Sequence, residues 1–303
     1  MSADGKHLAN ITARRGKGIG VVNEIFSILN HMGLGTLYFQ AALMLRTSML
    51  HSVLLCNSET WLRLTAKELR MLERIDEMLL RKLLETPTST PGAALYLETG
   101  TVPLSLIIKS KRVMFLHHIL TRDRKALISQ VLWAQIQQPC RGDWYCVVME
   151  DMDTLKLNLT LEDMAGMSKH VLRNQVKKKL EVAALTLLND KKKSLSKMSN
   201  LEYQSLTVQP YLTSSTTSTR LKRLQFKWRT NMVKVGWNYG NKVKCPLCQP
   251  SEAEDTQEHL LVCKKLNVME DSCHEGSTTH DDAFFKRLER VVRKREKMTE
   301  KTD

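Results

Sequence analysis

Cys245, Cys248, His259 and Cys263 constrain this chain more than any other residues, because they read C-x2-C-x10-H-x3-C and gather four metal ligands within nineteen residues. Two thiolates separated by two residues can be aimed at one ion by a tight turn, and a His and a Cys four apart lie on one face of a helix. Asp255-Thr256-Gln257-Glu258 ahead of Leu260-Leu261-Val262 reads as a capping box, so the spacing predicts a strand, a knuckle, a turn and a short helix carrying His259. Four protein ligands leave no coordination position for water or substrate. The expected ion is therefore structural Zn2+. His274 beside Cys273 has no accompanying second pair and stays outside the set.

The chain has 303 residues, enough for a substantial core and about two domains. Fifteen Met and few aromatics suit helical packing more than a sheet sandwich. Cys56, Cys140 and Cys146 lie apart from the cluster, and Met-Ser-Ala-Asp-Gly-Lys has no apolar signal core, so an intracellular location, nucleus or cytoplasm, is expected. Arg46, Lys109 and Lys111 interrupt the longest apolar stretches, which argues against a membrane partner.

The formal net charge of +14 is concentrated in stripes. Arg220 to Lys244 holds eight basic residues and no acid, running into the cluster, where an ion bound by three thiolates would carry about −1. Lys169 to Lys197 has nine basic residues against Glu181 and Asp190, and Lys286 to Lys301 has eight against three acids. Such stripes are the footprint of a polyanion, since each neutralised phosphate releases condensed counterions. The expected partner is RNA or DNA rather than a small molecule, with a protein partner as the alternative.

Periodicity is helical nearly throughout, and the fold class expected is mainly α. Ile19, Val22, Ile25, Phe26 and Leu29 mark one helix, broken at Gly33 and Gly35, and Leu37 to Met49 with Val53 mark a second. Thr65-Ala66-Lys67-Glu68 opens a third with the stripe Leu69, Leu72, Ile75, Leu79 and Leu83 and a charged opposite face. Thr90 reads as an N-cap with Pro91 first in the helix, ending near Gly100, and Val102-Pro103 starts another carrying His117 and His118 on opposite faces. Neither His has a catalytic partner at a suggestive spacing.

Gln138 to Asp143 reads as an irregular connection and Lys169 to Leu188 as a helix with basic faces. After a Ser/Thr run, Leu221, Leu224, Trp228, Met232 and Val235 form one stripe while Arg220, Arg223, Lys227 and Lys234 occupy another face. A final helix runs from Ala283 to about Lys301. The segments expected are 1–138, 139–212, 213–270 and 271–303.

Lys17-Gly18-Ile19-Gly20 with Asn23, Leu45-Arg46-Thr47-Ser48-Met49-Leu50, Asn57-Ser58-Glu59-Thr60-Trp61, Leu79-Leu80-Arg81-Lys82-Leu83-Leu84, and Thr90-Pro91 with Ala94-Leu95-Tyr96-Leu97-Glu98 together resemble the region after the polymerase core of non-LTR (LINE-type) retrotransposon reverse transcriptases. The Cys245-Pro246-Leu247-Cys248 and Glu258-His259-Leu260 to Cys263 cluster is similar to the C-terminal zinc knuckle of those polyproteins. The resemblance implies a helical thumb-like domain over 1–138, a helical connector over 139–212, the basic helix and CCHC knuckle over 213–270, and a basic C-terminal helix. A polymerase palm needs a Tyr-x-Asp-Asp turn and a further Asp to hold two metal ions, and none occurs here. Asp281-Asp282 reads as a helix start, and Asp151 and Asp153 flank Met152 with no strand to display them.

The expectation is a non-catalytic nucleic-acid-binding fragment. Arg220, Arg223, Lys227, Arg229, Lys242 and Lys244 would contact phosphates, and Trp237 or Tyr239 would stack on bases, with Trp228 a core residue. The alternatives are one piece of a polymerase whose palm another chain supplies, and a zinc-stapled helical scaffold for a protein partner.

Overall fold

The computed structural model of the chain describes residues 7–195, 198, 201–236, 244–248, 253–263, 266 and 282–299. It is mainly helical, and its described residues contain no β-strand beyond the isolated antiparallel bridge between Lys244 and Glu254. The longer helices are α1 (Leu8–His31), α2 (Tyr38–Leu45), α4 (Ala66–Leu84), α5 (Gly92–Thr99), α6 (Leu104–Leu120), α7 (Leu127–Gln137), α8 (Trp144–Thr154), α10 (Lys169–Lys193), α12 (Thr219–Arg229) and α14 (Asp282–Thr299). Short helices α3 (His51–Leu54), α9 (Leu161–Gly166), α11 (Pro210–Thr213) and α13 (His259–Val262) fall between them in chain order. Among the described residues, no helix is long and apolar enough to cross a membrane.

Local chemistry sets most helix ends where the residues predict. Thr65 and Glu68 close a reciprocal capping box at the start of α4, with the Thr65 hydroxyl accepting from Glu68 N–H at 3.2 Å and the Glu68 carboxylate accepting from Thr65 N–H at 2.8 Å. Ser218 caps α12 by accepting from Leu221 N–H. Two expectations shift. Pro91 takes the cap position and α5 begins at Gly92, while the buried Thr90 hydroxyl points instead to Met232 Sδ at 3.3 Å. The second helix continues past α2 through a wide π turn, Arg46–Leu50, before α3. Arg46 is buried in that turn, where its guanidinium meets the Asp76 carboxylate at 2.7 and 2.6 Å.

Burial separates three cores. The first joins α1, α2, α4 and α5 through Val22, Ile25, Leu29, Leu72, Leu79, Leu83 and Leu97, and it is completed by Met198, Tyr203, Leu212, Phe226 and Met232 from far along the chain. Each such Leu removed from water contributes about 1.5–3 kcal/mol. The second core gathers Leu106, Val113, Leu116, Leu132, Val148, Met152, Met164, Leu172 and Val176. Residues on both sides of the Gln138–Asp143 connection therefore share one interior. Helix α6 serves both, with Leu104 and Ile108 in the first core and Leu106, Val113, Leu116 and Ile119 in the second. The third unites α12 with the cysteine cluster and α14.

Gly100 ends α5 in the left-handed conformation, φ +60°, and a Cβ there would stand 2.2 Å from the Thr207 carbonyl carbon and the Val208 nitrogen. The 201–213 segment thus crosses α5 at backbone contact, with Gln209 N–H donating to Glu98 O at 3.1 Å. Beneath it the fully buried Glu98 carboxylate accepts from Tyr203, from Tyr211 at 2.6 Å and from Arg229 at 3.1 Å. Burial first, and then the neighbouring Glu98 carboxylate, push both phenols above the usual tyrosine range, so they stay protonated donors. Gly100→Ala is expected to cost about 2–5 kcal/mol through strain and displaced backbone, read as a lowered urea midpoint.

Candidate metal centre and its basic flank

Cys245, Cys248, His259 and Cys263 converge as their spacing predicts. Their ligand atoms all lie within 4.8 Å of one another. Cys248 Sγ stands 3.2 Å from Cys263 Sγ and 3.4 Å from His259 Nε2, and Cys245 Sγ stands 3.9 Å from Cys263 Sγ. A tetrahedral ion with metal–sulfur bonds of about 2.3 Å requires sulfur–sulfur edges of about 3.8 Å, so the four atoms fit one metal ion. Cys245 and Cys263 are buried, and the four residues together could hold a metal ion.

The turn that aims the ligands is built from backbone. Cys248 N–H donates to Cys245 O at 3.3 Å, and Cys245 N–H donates to Ala253 O at 2.9 Å. Of the predicted strand, the described residues hold the isolated Lys244–Glu254 bridge, and the residues just before Lys244 lie outside the described residues. The expected capping box is also simpler than predicted. Thr256 Oγ1 accepts from His259 N–H at 3.1 Å, while Glu258 supplies no side-chain cap. Helix α13 starts at His259 and leaves Cys263 just past its end.

A layer of polar ties behind the ligands was not legible in the sequence. Gln257 Nε2 donates to Trp228 O at 3.0 Å, which fastens the approach to His259 onto α12. Asp255 Oδ2 accepts from Gly236 N–H and from Arg295, each at 2.6 Å, joining the knuckle to α14. Trp228 meets Phe284 edge-on at 5.4 Å, and Lys294 donates to Leu266 O at 2.8 Å. Trp228 is a core residue, as expected.

Helix α12 is packed on two sides rather than standing free. Leu221, Leu224 and Trp228 face the third core, Phe226 faces the first, and the Lys222 side chain is fully buried with Nζ donating to Thr36 O at 2.9 Å. Arg223 donates to Leu83 O at 3.0 Å and pairs with Glu85 at 2.5 Å. Arg229 is held by Glu98, and Lys227 is half-buried, where desolvation pushes its ammonium below the usual lysine range. Of the expected phosphate contacts, Arg223 thus engages Leu83 O and the exposed Glu85, and Arg229 the buried Glu98. Arg220, more than half exposed, pairs with Glu289 at 3.0 Å, and Lys234 and Lys244 are exposed. Trp237, Tyr239 and Lys242 lie outside the described residues, as do Cys273 and His274.

Comparison with family models, curated proteins and solved structures returns no match for this chain.

Proposed function

We propose that this chain is a non-catalytic nucleic-acid-binding polypeptide, akin to the C-terminal part of non-LTR retrotransposon reverse transcriptases, whose last module is closed by structural zinc. The observation that carries the reading is the convergence of Cys245, Cys248, His259 and Cys263 beside exposed Lys244 on a chain of net charge +14. Soft thiolate and imidazole donors in a tetrahedral set select zinc over magnesium or calcium. Zinc bound there would fix the relative positions of α12, α13 and α14, and with them the cations at the knuckle's rim. Lys234 and Lys244, both exposed, and Arg220, more than half exposed beside Glu289, carry the phosphate-contact role, since the less exposed Arg223 and Arg229 are held by Glu85 and Glu98. RNA and DNA present the same polyphosphate to such a surface, so the reading covers both.

The carboxylates support a non-catalytic assignment. Asp151 accepts from Arg112 at 2.6 Å and from Lys109 at 2.9 Å, a buried ion pair that supports a structural role for this carboxylate. A second reading, a zinc-stapled scaffold for a protein partner, draws on the same internal pairing of the α12 cations.

Metal content measured beside RNA and DNA binding, before and after chelation, tests the proposal. The Arg220→Glu, Lys244→Glu double variant is expected to weaken binding of a mixed-sequence oligonucleotide about tenfold or more and to reduce the salt slope by about 1.5. Binding that survives both chelation and charge reversal argues against the knuckle as a contact surface. Retention on heparin without binding to either nucleic acid favours the scaffold.

A further inference from the structure

A groove lies away from the cysteine cluster, between α6 and α10. It encloses about 470 Å³ and is lined by Lys111, Met114, Phe115, His118, Lys169 and Arg173, with Glu59 and Ser110 at one side. That volume falls within the range of about 300–1,000 Å³ common for ligand clefts. On α6, Lys111 and His118 follow one helical face, with Arg122 just past the helix end, and on α10 Lys169, Arg173 and Lys177 share a face at four-residue spacing. The three α10 cations are exposed, and among the described residues none has an ion-pair partner. They differ in this from the cations of α12. The one acid of the groove, Glu59, is offset by Lys111 at 3.3 Å.

Its floor is aromatic and braced. Phe115 meets Trp144 edge-on at 5.7 Å, and the Trp144 indole N–H is fixed by Glu59 O at 2.9 Å. The exposed His118 ring lies over Phe115 at 6.0 Å with 27° between planes. Arg122 Nε donates to His118 Nε2 at 3.1 Å, which holds the ring in place. A flat exposed ring, backed by a second ring and flanked along the α10 wall by cations without an ion-pair partner, is the arrangement that stacks an unpaired base while holding its phosphates.

We propose that the α6–α10 groove binds single-stranded nucleic acid, with His118 and Phe115 as the stacking platform and Lys169, Arg173 and Lys177 tracking the backbone. A duplex keeps its base faces inside and an acidic peptide has none to offer, so neither uses the rings. The inference extends the nucleic-acid reading to a second surface and does not depend on the knuckle holding metal.

The test uses the full chain, a fluorescein-labelled oligouridylate of about ten nucleotides, and anisotropy titrations over a range of salt. The Lys169→Glu, Arg173→Glu variant is expected to lose about tenfold or more in affinity and about 1.4 in salt slope. His118→Ala is expected to lose about fivefold or more on the oligonucleotide while keeping its affinity for heparin. Both changes are at exposed positions, and circular dichroism checks the fold. Unchanged oligonucleotide affinity in either variant overturns the proposal, as does tighter binding of poly-glutamate than of oligouridylate. Chelated protein that still binds the oligonucleotide supports the groove while counting against the knuckle, and the Arg220→Glu, Lys244→Glu variant separates the two surfaces in the opposite direction.

Discussion

Cys263→Ser is expected to release the metal and unfold the C-terminal module while leaving the first two cores folded. The physical reason is that the third core, Leu221, Leu224, Trp228, Leu260, Leu266, Phe285, Leu288 and Val291, also counts two of the ligands among its members. So few residues bury too little surface to hold a fold without a staple, and structural zinc in small modules supplies an apparent 10–16 kcal/mol, roughly, at neutral pH. Metal content should fall from about one ion per chain to none, and the near-ultraviolet signal of the Trp228–Phe284 pair should collapse. Chelation of the unaltered chain should reproduce both effects. Cys140→Ser is the control, because that thiol is exposed and remote. A Cys263→Ser chain that keeps its metal would sink the assignment.

Asp76→Ala is expected to cost about 3–5 kcal/mol. The carboxylate is fully buried and accepts from Arg46, from Tyr96 at 3.1 Å and from His51 at 3.2 Å, so its loss strands a guanidinium in an apolar interior. Burial alone would raise this carboxyl, but Arg46 and His51 outweigh it and hold it well below the usual carboxylate range. A depressed folded-state value gives stability that is present above the ordinary carboxylate range, near 3.9, and is lost as pH falls below it. Urea midpoints should therefore drop between about pH 5 and pH 2 in the unaltered chain, and this part of the slope should vanish in Asp76→Asn. An unchanged acid slope in that variant would show that Asp76 is not the group responsible.

What was legible in the sequence was what local chemistry decides. The Thr65–Glu68 box, the Gly100 stop, the Ser218 cap and the stripe Leu221, Leu224, Trp228 all depend on residues within a few positions of one another, and all stand where spacing puts them. The cysteine cluster belongs to the same kind, because two short spacings carry its geometry. Long-range pairing was not legible. The charged face of α4 looked solvated, yet Asp76 and Glu77 are buried there against Arg46 and Arg81. Arg112 finds Asp151 across the second core, and Arg229 finds Glu98 beneath the 201–213 segment. Lys222 could not have been read as an interior residue, since its burial depends on a Thr36 carbonyl far along the chain. A lysine or arginine announces its charge but not the partner that will neutralise it. Arg223 and Arg229 of α12 show this, since their partners Glu85 and Glu98 lie far away in sequence.

Because the first core is sealed by Met198, Tyr203, Leu212, Phe226 and Met232, its last members leave the ribosome long after Val22 and Leu29 have emerged. The nascent N-terminal helices must wait with an apolar flank uncovered, which makes the growing polypeptide a client for chaperones until α12 arrives. A premature stop anywhere before Phe226 would leave that flank permanently open.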